Sequence, residues 1–235
     1  MIKQQDAERK PWTQYRYVFI VTYGRSGSTL LQSLMNSCPG VQIRGENHNA
    51  LFHLHRALNS ATETRKFGRH PQTKEPDEPW FGASHVKPVA FEGGVLASFV
   101  RNVLAPDPGT DVTGFKEIRY NRSFISKPQF APYMDFLLTR FPQAKVVFNS
   151  RRASDVAKSA FFAERNSTDI ADWVAEADHN FAAYNQGSDK TIHMQYEDYV
   201  EDHRLVHQML DFLNLNWTAE AVERVFAKPL THAKD

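Results

Sequence analysis

Cysteine is almost absent from this chain of 235 residues, which has a single one, Cys38. One cysteine excludes an internal disulfide bond and most cysteine metal sites, so the sequence favours a reducing compartment. Long apolar runs are also missing, because no segment approaches the ~18–20 apolar residues that a membrane span requires. The N-terminal segment MIKQQDAERKPWTQ lacks the apolar core of a signal peptide. These absences predict a soluble, cytoplasmic protein without a membrane span.

A charge excess of either sign is missing as well. The chain has 28 Lys and Arg residues against 27 Asp and Glu residues, which gives a formal net charge of +1. This balance argues against a general polyanion-binding surface, so we expect no nucleic-acid partner, although a local basic pocket remains compatible with it. The length suits one substantial core. We therefore predict a single domain over residues 1–235, with a polar N-terminal segment at 1–16.

Short apolar segments of strand type alternate with longer segments of helical periodicity along the chain. Strands are predicted at 17–22, 41–44, 112–116, 145–150 and 190–195, and helices at 28–37, 49–60, 91–104, 130–141, 155–164, 169–186, 203–213 and 218–227. Residues 62–88 are rich in charge and proline, so we predict a long loop or lid there. The alternation predicts an α/β fold, in which helices flank a mostly parallel central sheet on both faces.

The segment VFIVTYGRSGSTLLQSLM at 18–35 joins the first predicted strand to the first predicted helix. Glycine permits positive φ and a close approach of the backbone to a ligand. The N–H groups and the dipole at a helix start favour an anion, and the planar guanidinium group of arginine suits phosphate or sulfate. We therefore predict an anion site formed by Gly24, Arg25, Ser26, Gly27, Ser28 and Thr29.

A Walker A loop is the nearest alternative for this segment, and it requires the pattern G-x-x-x-x-G-K-[ST]. Here Gly24 and Gly27 are only three positions apart, and no lysine follows them. The strand KVVFNS at 145–150 also ends in Asn149 and Ser150, where a Walker B aspartate would hold Mg²⁺. The sequence thus argues against a kinase or an NTPase, and we predict no metal.

A second candidate anion site follows the predicted strand at 145–150. Arg151 and Arg152 lie at the end of this strand, and Ser159 lies eight residues after Arg151. Open α/β sheets bind ligands at the carboxyl ends of their strands, where an arginine and a serine on the next helix can together hold a phosphate. Taken alone, the pair is a weak signal, because an arginine at a strand end is more often a solvated charge.

Together, these segments resemble the PAPS-dependent sulfotransferases, which use 3′-phosphoadenosine 5′-phosphosulfate. RSGSTLL, a strand followed by Arg-x₇-Ser, and MQYEDYVED occur in the family's order, and the first is closest to the carbohydrate, tyrosyl-protein and bacterial branches. The resemblance implies that the first loop binds the 5′-phosphosulfate and that Arg151 and Ser159 bind the 3′-phosphate, with PAP as the product. The family often has Arg-Asp-Pro where this chain has Arg151-Arg152-Ala153, so either arginine is a candidate. The Tyr-Glu-Asp block either contacts the ligand or fixes a helix start.

Sulfuryl transfer to a hydroxyl group requires in-line geometry, positive charge at the leaving phosphate and a base for the acceptor proton. Arg25 suits the leaving group. Lys116, at the end of a predicted strand, either contacts the transferring group or the acceptor, or is simply solvated. Glu46 in the segment RGENH is the first choice for the base, since it follows the second strand and resembles the Gly-Glu of tyrosyl-protein sulfotransferases. His48 is the second choice, because imidazole is a common base.

A zinc site built from His48, His53 and His55 is a further possibility at these positions. Zinc sites normally add cysteine or acidic ligands, and none has a suitable spacing here. We therefore expect no zinc.

Two functions remain. One is a sulfotransferase that moves the sulfuryl group of PAPS to a hydroxyl group of a carbohydrate, a lipid or another small molecule. The other is a catalytically silent protein that binds PAP on the same fold. The enzyme is favoured by the joint presence of Arg25, Glu46, Arg151 and Ser159. The predicted lid contains side chains suited to covering an acceptor, namely Trp80, Phe81, His85 and Lys87.

Overall fold

A parallel sheet forms the centre of the fold in this computed structural model, which describes residues 11–158 and 167–228. Its five strands are β1 (Arg16–Val21), β2 (Val41–Arg44), β3 (Val112–Glu117), β4 (Lys145–Ser150) and β5 (Thr191–Gln195). Their order is β2-β3-β1-β4-β5, and every pairing is parallel. The predicted α/β fold with a parallel central sheet is therefore confirmed, and each strand lies within one residue of its predicted limits.

The helices of the described ranges are α1 (Ser28–Asn36), α2 (Ala50–Lys66), α3 (Pro88–Phe99), α4 (Lys127–Arg140), α5 (Ala153–Ala157), α6 (Ser167–Gln186), α7 (Tyr196–Glu201), α8 (Arg204–Phe212) and α9 (Ala219–Phe226). None of these helices is both long and apolar enough to cross a membrane. The helix predicted at 155–164 begins earlier, at Ala153. Ser159 and the rest of that predicted helix lie outside the described residues.

The two faces of β1 bury different kinds of side chain. Val18 and Ile20 join an aliphatic cluster that α1, α8 and α9 complete. The alternate residues Tyr17 and Phe19 contact the ring of Phe141, with centroids 4.8 and 5.3 Å away. Because successive strand residues point to opposite faces, a fully buried strand needs helices on both sides. Side chains packed on both faces thus bury β1 in the middle of the sheet.

The chain divides into two compact units. The larger unit comprises Gln14–His48 and Pro106–Asp235, and it contains the sheet, α1 and α4 to α9. The smaller unit comprises Asn49–Ala105 with Met1–Thr13, and it contains α2 and α3, which pack against each other. A single sulfotransferase domain over residues 1–235 stays a prediction.

The loop predicted at 62–88 is shorter in the structure, because α2 continues to Lys66. The segment ATETRK contains no proline or glycine, so nothing breaks the helix before Gly68, and Glu63 pairs with Lys66 at 2.5 Å. Short 3₁₀ turns follow at Phe67–Arg69 and Ala83–His85. Prediction of a loop over 62–66 was therefore wrong.

Candidate functional site

The carboxyl ends of the parallel strands share one edge of the sheet. The strand order reverses at β1, which lies between β3 and β4. Open α/β sheets bind their ligands outside such a reversal, because the loops on either side separate there. The loop after β1, the end of β3 and Arg151 after β4 meet at this place, and Glu46 follows β2 at the same edge.

The loop between β1 and α1 is fixed by buried hydrogen bonds. Thr22 Oγ1 lies 2.6 Å from Ser26 Oγ and 2.7 Å from the carbonyl oxygen of Asn149. The Asn149 side-chain amide donates in turn to the carbonyl oxygen of Ser26 at 2.8 Å. Arg25 and Gly27 have positive φ angles of 66° and 80°, which turn the chain into α1. The hydroxyl of Ser26 is thus buried and hydrogen-bonded to Thr22, and a contact of Ser26 with an anion stays a prediction.

Gly27, Ser28 and Thr29 form the junction between the loop and α1. Ser28 is buried, whereas Thr29 is partly exposed in the first helical turn. Gly27 lies against the ring of Tyr196, because a Cβ atom on Gly27 would be only 2.1 Å from Tyr196 Cδ2. The Tyr-Glu-Asp block therefore begins α7, which is one of its two predicted roles, and Tyr196 also packs on the loop. The other role, a contact with the ligand, stays a prediction.

Arg151 and Arg152 point in different directions. Arg151 Nη1 donates to the carbonyl oxygen of Arg25 at 3.1 Å, and its guanidinium carbon lies 4.6 Å from the centroid of the Tyr196 ring. Arg151 Nε is buried and has no hydrogen-bond partner within the described chain. Arg152 has a side chain that is 66% exposed and pairs with Asp155 at 3.4 Å. Only Arg151 of the two therefore faces the loop after β1.

Glu197 ties the end of β5 to the segment after β4. Its carboxylate accepts from the backbone N–H of Arg152 at 3.1 Å and from Gln195 Nε2 at 2.7 Å. Burial raises the pKa of the Glu197 carboxyl, but these hydrogen bonds outweigh burial and leave the pKa below its usual range. The charge lies close to Arg151, whose Nε is 4.0 Å from Glu197 Oε1. An ionised carboxylate thus holds the end of β4 beside the candidate anion site.

Glu46 and Lys116 form an ion pair at the edge of the sheet. Lys116 Nζ lies 2.7 Å from Glu46 Oε1, and the Lys116 side chain is only 8% exposed. Arg119 Nη1 approaches the other carboxylate oxygen of Glu46 at 3.3 Å. The Glu46 side chain keeps 33% of its surface exposed, so it is in contact with solvent although both carboxylate oxygens are paired. Arg44, at the end of β2, pairs with Asp107 at 3.7 Å.

Glu117 is a fully buried carboxylate behind this ion pair, and it was not among the predicted site residues. It accepts from Arg119 Nη1 at 2.8 Å and from the backbone N–H of Asn47 at 3.1 Å. The backbone of Arg119 also forms an isolated antiparallel β-bridge with Tyr23, which lies in the loop after β1. The segment GFKEIR carries alternating charge at a strand end, and this pattern is the signal that could have identified Glu117 and Arg119.

His48, the second candidate for the base, is exposed and has a positive φ of 55°. Among the described residues, its side chain forms no hydrogen bond or ion pair with Glu46 or Lys116. His53 and His55 lie on α2 in the smaller unit, where His55 Nε2 is 3.1 Å from Asn59 Nδ2. Within residues 11–158 and 167–228, no three His, Cys, Asp or Glu side chains cluster as a metal site would require.

Comparison with known proteins agrees with this architecture. A model of the sulfotransferase family matches residues 17–219. The sulfotransferase domain of the Synechococcus PCC 7002 olefin synthase shares the fold with a TM-score of 0.56 and 19% identity, over 97% of this chain and 84% of that chain. A sulfotransferase from Alicyclobacillus acidocaldarius has a TM-score of 0.50 and 14% identity, over 89% of each chain. No curated protein matches the sequence. With a family match over most of its length and the fold of solved sulfotransferases, the chain belongs to the sulfotransferase family.

Proposed function

We propose that this protein transfers a sulfuryl group from PAPS to a hydroxyl group of an acceptor. The observation that carries the proposal is the convergence of the Glu46–Lys116 ion pair with two anion-binding elements at one edge of the sheet. Those elements are the loop after β1 and the guanidinium group of Arg151, which contact each other. Family membership supports sulfuryl transfer as the reaction.

Arg151 is the better candidate of the two arginines for the 3′-phosphate of PAPS. Its guanidinium group faces the loop, and its buried Nε has no hydrogen-bond partner within the described chain. A buried donor without a partner is costly, and a phosphate oxygen would satisfy it. Arg152 is exposed and paired with Asp155, so it is available for solvent rather than for this site. Ser159 remains a proposed second ligand, although it lies outside the described residues.

The loop after β1 would hold the 5′-phosphosulfate. Gly24 and Gly27 keep the backbone free of side chains, and α1 begins there with the positive end of its dipole. Arg25 supplies the positive charge that a leaving phosphate requires. Thr29 and Ser28 follow in the first turn of α1, whereas the hydroxyl of Ser26 has the different task of fixing the loop to Thr22.

Glu46 would act as the general base. PAPS, when bound, supplies the sulfuryl group and a phosphate leaving group. As the acceptor oxygen bonds to sulfur and the bridging sulfur–oxygen bond breaks towards the phosphate, Glu46 takes the hydroxyl proton. Lys116 and Arg119 each occupy one position on the carboxylate, which offers about four acceptor positions, so an acceptor hydroxyl can still bind. The ammonium group of Lys116, which is paired with Glu46, would supply positive charge to the sulfuryl oxygens during transfer.

A thermal-shift comparison of adenosine 3′,5′-bisphosphate with ATP tests the nucleotide assignment. A ligand present at a hundred times its dissociation constant stabilises the folded protein by about 2.7 kcal/mol. We expect this stabilisation from the bisphosphate and not from ATP. The reverse preference would contradict the proposal.

Incubation with labelled PAPS and a panel of glycans, lipids, phenols and peptides separates the enzyme from the silent PAP-binding protein. We expect the label to appear on a hydroxyl group of one acceptor class. Tight binding of PAP without transfer to any member of the panel would favour the silent protein.

A further inference from the structure

A hydrogen-bonded network of polar side chains lies behind Arg151 and takes no part in the proposed transfer. Tyr23 and Ser150 are buried, with 3% and 1% of their surface exposed. The hydroxyl group of Ser150 is within hydrogen-bonding distance of Asp178 Oδ1 and lies 2.7 Å from His193 Nε2. Tyr23 Oη lies 3.1 Å from Asp178 Oδ1, and it accepts from the backbone N–H of Arg151 at 2.8 Å. A continuous network of hydrogen bonds therefore connects His193 to the backbone of Arg151.

Donor and acceptor roles in this hydrogen-bonded network follow from the backbone N–H of Arg151 and from an ionised Asp178. The backbone N–H of Arg151 can only donate, so the Tyr23 oxygen accepts from it, and the Tyr23 proton has two acceptors within reach, Asp178 Oδ1 and the carbonyl oxygen of Arg151. An ionised Asp178 can only accept, so the Ser150 hydroxyl also donates to it. His193 Nε2 then carries the proton that it donates to Ser150.

Three elements of the fold fix the position of Arg151 through this network of hydrogen bonds. Arg151 is the first residue after β4, Tyr23 lies in the loop after β1, and Asp178 lies on α6. The phenolic oxygen of Tyr23 also lies 3.0 Å from the carbonyl oxygen of Arg151, so it reaches both backbone polar groups of that residue. At its other end, the Arg151 side chain is held by the carbonyl oxygen of Arg25 in the same loop.

We infer that Tyr23 and Asp178 are positioning residues for Arg151, and that they set the affinity of the site for the 3′-phosphate group of the nucleotide. The inference rests on the proposed function, because it takes Arg151 as the ligand of that phosphate. A misplaced guanidinium group weakens the contact with the 3′-phosphate, but it leaves the 5′ side of the nucleotide on the loop and α1. The positioning role therefore predicts that only nucleotides with a 3′-phosphate lose affinity. A purely structural role predicts that nucleotides with and without a 3′-phosphate lose affinity equally.

Calorimetry of the Tyr23→Phe variant with two nucleotides measures this selectivity. The substitution removes only the hydroxyl group, since the ring can keep its stacking on Phe181, whose centroid is 6.3 Å away. We expect adenosine 3′,5′-bisphosphate to bind about 5- to 30-fold more weakly, which is the loss of one or two hydrogen bonds. Adenosine 5′-monophosphate should change by less than about twofold. Tyr133→Phe is the matched control, because it removes a buried phenolic hydroxyl beside Tyr120 rather than beside Arg151.

Two substitutions of Asp178 test the other positioning residue. Asp178→Asn keeps a side-chain oxygen that can accept from both Tyr23 and Ser150, so affinity for the bisphosphate should stay close to that of the wild type. Asp178→Leu has no acceptor and should lose affinity for the bisphosphate selectively, as Tyr23→Phe does. Urea unfolding of each variant identifies any that fail to fold, and the remaining ones still decide the question.

The outcomes separate this inference from the proposed function. If the wild type binds the bisphosphate no more tightly than the monophosphate, the assignment of Arg151 to the 3′-phosphate fails, and the positioning role fails with it. If the wild type discriminates but the folded Tyr23→Phe and Asp178→Leu variants lose affinity for both nucleotides equally, or for neither, the proposed function stands and the positioning role is overturned.

Discussion

Arg151 and Arg152 offer the sharpest comparison at the scale of the residue, because they are adjacent and chemically identical but differently placed. Arg151→Ala should weaken binding of adenosine 3′,5′-bisphosphate by about 1.5–3 kcal/mol, the usual contribution of a charge-assisted hydrogen bond. Arg152→Ala removes an exposed side chain paired with Asp155 and should change the affinity little. Calorimetry with the bisphosphate and a 5′-monophosphate analogue measures both. A selective loss in Arg152→Ala would keep the site and transfer the role to Arg152.

Single residues of the candidate site could be predicted where a strand end was recognisable. Glu46 and Lys116 are 70 positions apart, and each was chosen because it lies at the end of a strand; the structure puts their charged groups 2.7 Å apart. Parallel strands bring such ends to one edge without any further information. The buried position of Ser26 could not be predicted, since its partner Thr22 is reached only through the fold of the loop.

The junction between the loop and α1 gives a prediction at the scale of the element. Gly27→Ala would introduce a side chain at a φ of +80° and place its Cβ 2.1 Å from Tyr196 Cδ2. Gly109→Ala is the matched control, because Gly109 has a similar φ of +86° and no atom within 4 Å of the added Cβ. Both should pay the strain of a left-handed conformation, about 1–2 kcal/mol, whereas only Gly27→Ala should add the cost of overpacking, about 1–3 kcal/mol.

Urea unfolding measures the difference between these two variants. Gly27→Ala should also bind adenosine 3′,5′-bisphosphate more weakly, because the Tyr196 ring that must move lies under the guanidinium group of Arg151. Equal destabilisation of the two variants, with unchanged nucleotide affinity, would mean that the contact between Gly27 and Tyr196 is unimportant for the loop.

Elements with strong periodicity were predictable, and the exceptions have local causes. β1 and β4 are buried along nearly their whole length and contain continuous apolar runs, whereas β2 and β5 are only partly buried and were recognised from shorter apolar patterns. α2 was underestimated because its last turns are polar, and an exposed helical face carries no hydrophobic signal. The contact of Tyr196 with Gly27 joins residues on two distant segments, and no pattern within either segment predicts it.

Stability of the whole molecule should depend on pH through His193. Burial lowers the pKa of the His193 imidazole, whereas the unfolded chain has a value near ~6.5. A depressed pKa stabilises the folded state above the unfolded value and loses this contribution as the pH falls towards the folded value. Between about pH 7 and pH 5, the wild type should therefore lose more free energy of unfolding than His193→Gln, which cannot be protonated.

Asp178 belongs to the same hydrogen-bonded network as His193, and it affects the pH dependence of stability in the opposite direction. Burial raises the pKa of its carboxyl, so its contribution to stability falls as the pH rises through the window between the unfolded and the folded value. Asp178 is present in both proteins, so the comparison of wild type with His193→Gln isolates the histidine. Parallel curves of unfolding free energy against pH would contradict the account of His193.

The order of the strands is a property of the whole molecule that the sequence did not provide. Alternation of strands and helices predicts a parallel sheet, but the position of β1 between β3 and β4 depends on which faces the helices cover. That order matters for function, since it makes the loop after β1 a neighbour of both Lys116 and Arg151.

The central claim is that Glu46 takes the acceptor proton during sulfuryl transfer, and Glu46→Gln tests it most directly. Transfer of the labelled group from PAPS and affinity for adenosine 3′,5′-bisphosphate are measured on the same preparation. Glu220→Gln serves as control, because it neutralises an exposed glutamate that pairs with Arg224 on α9. The account predicts a rate lower by ~10²–10⁴ with nearly unchanged affinity, the usual cost of losing a general base. A Glu46→Gln variant with normal affinity and more than about a tenth of the wild-type rate would contradict it.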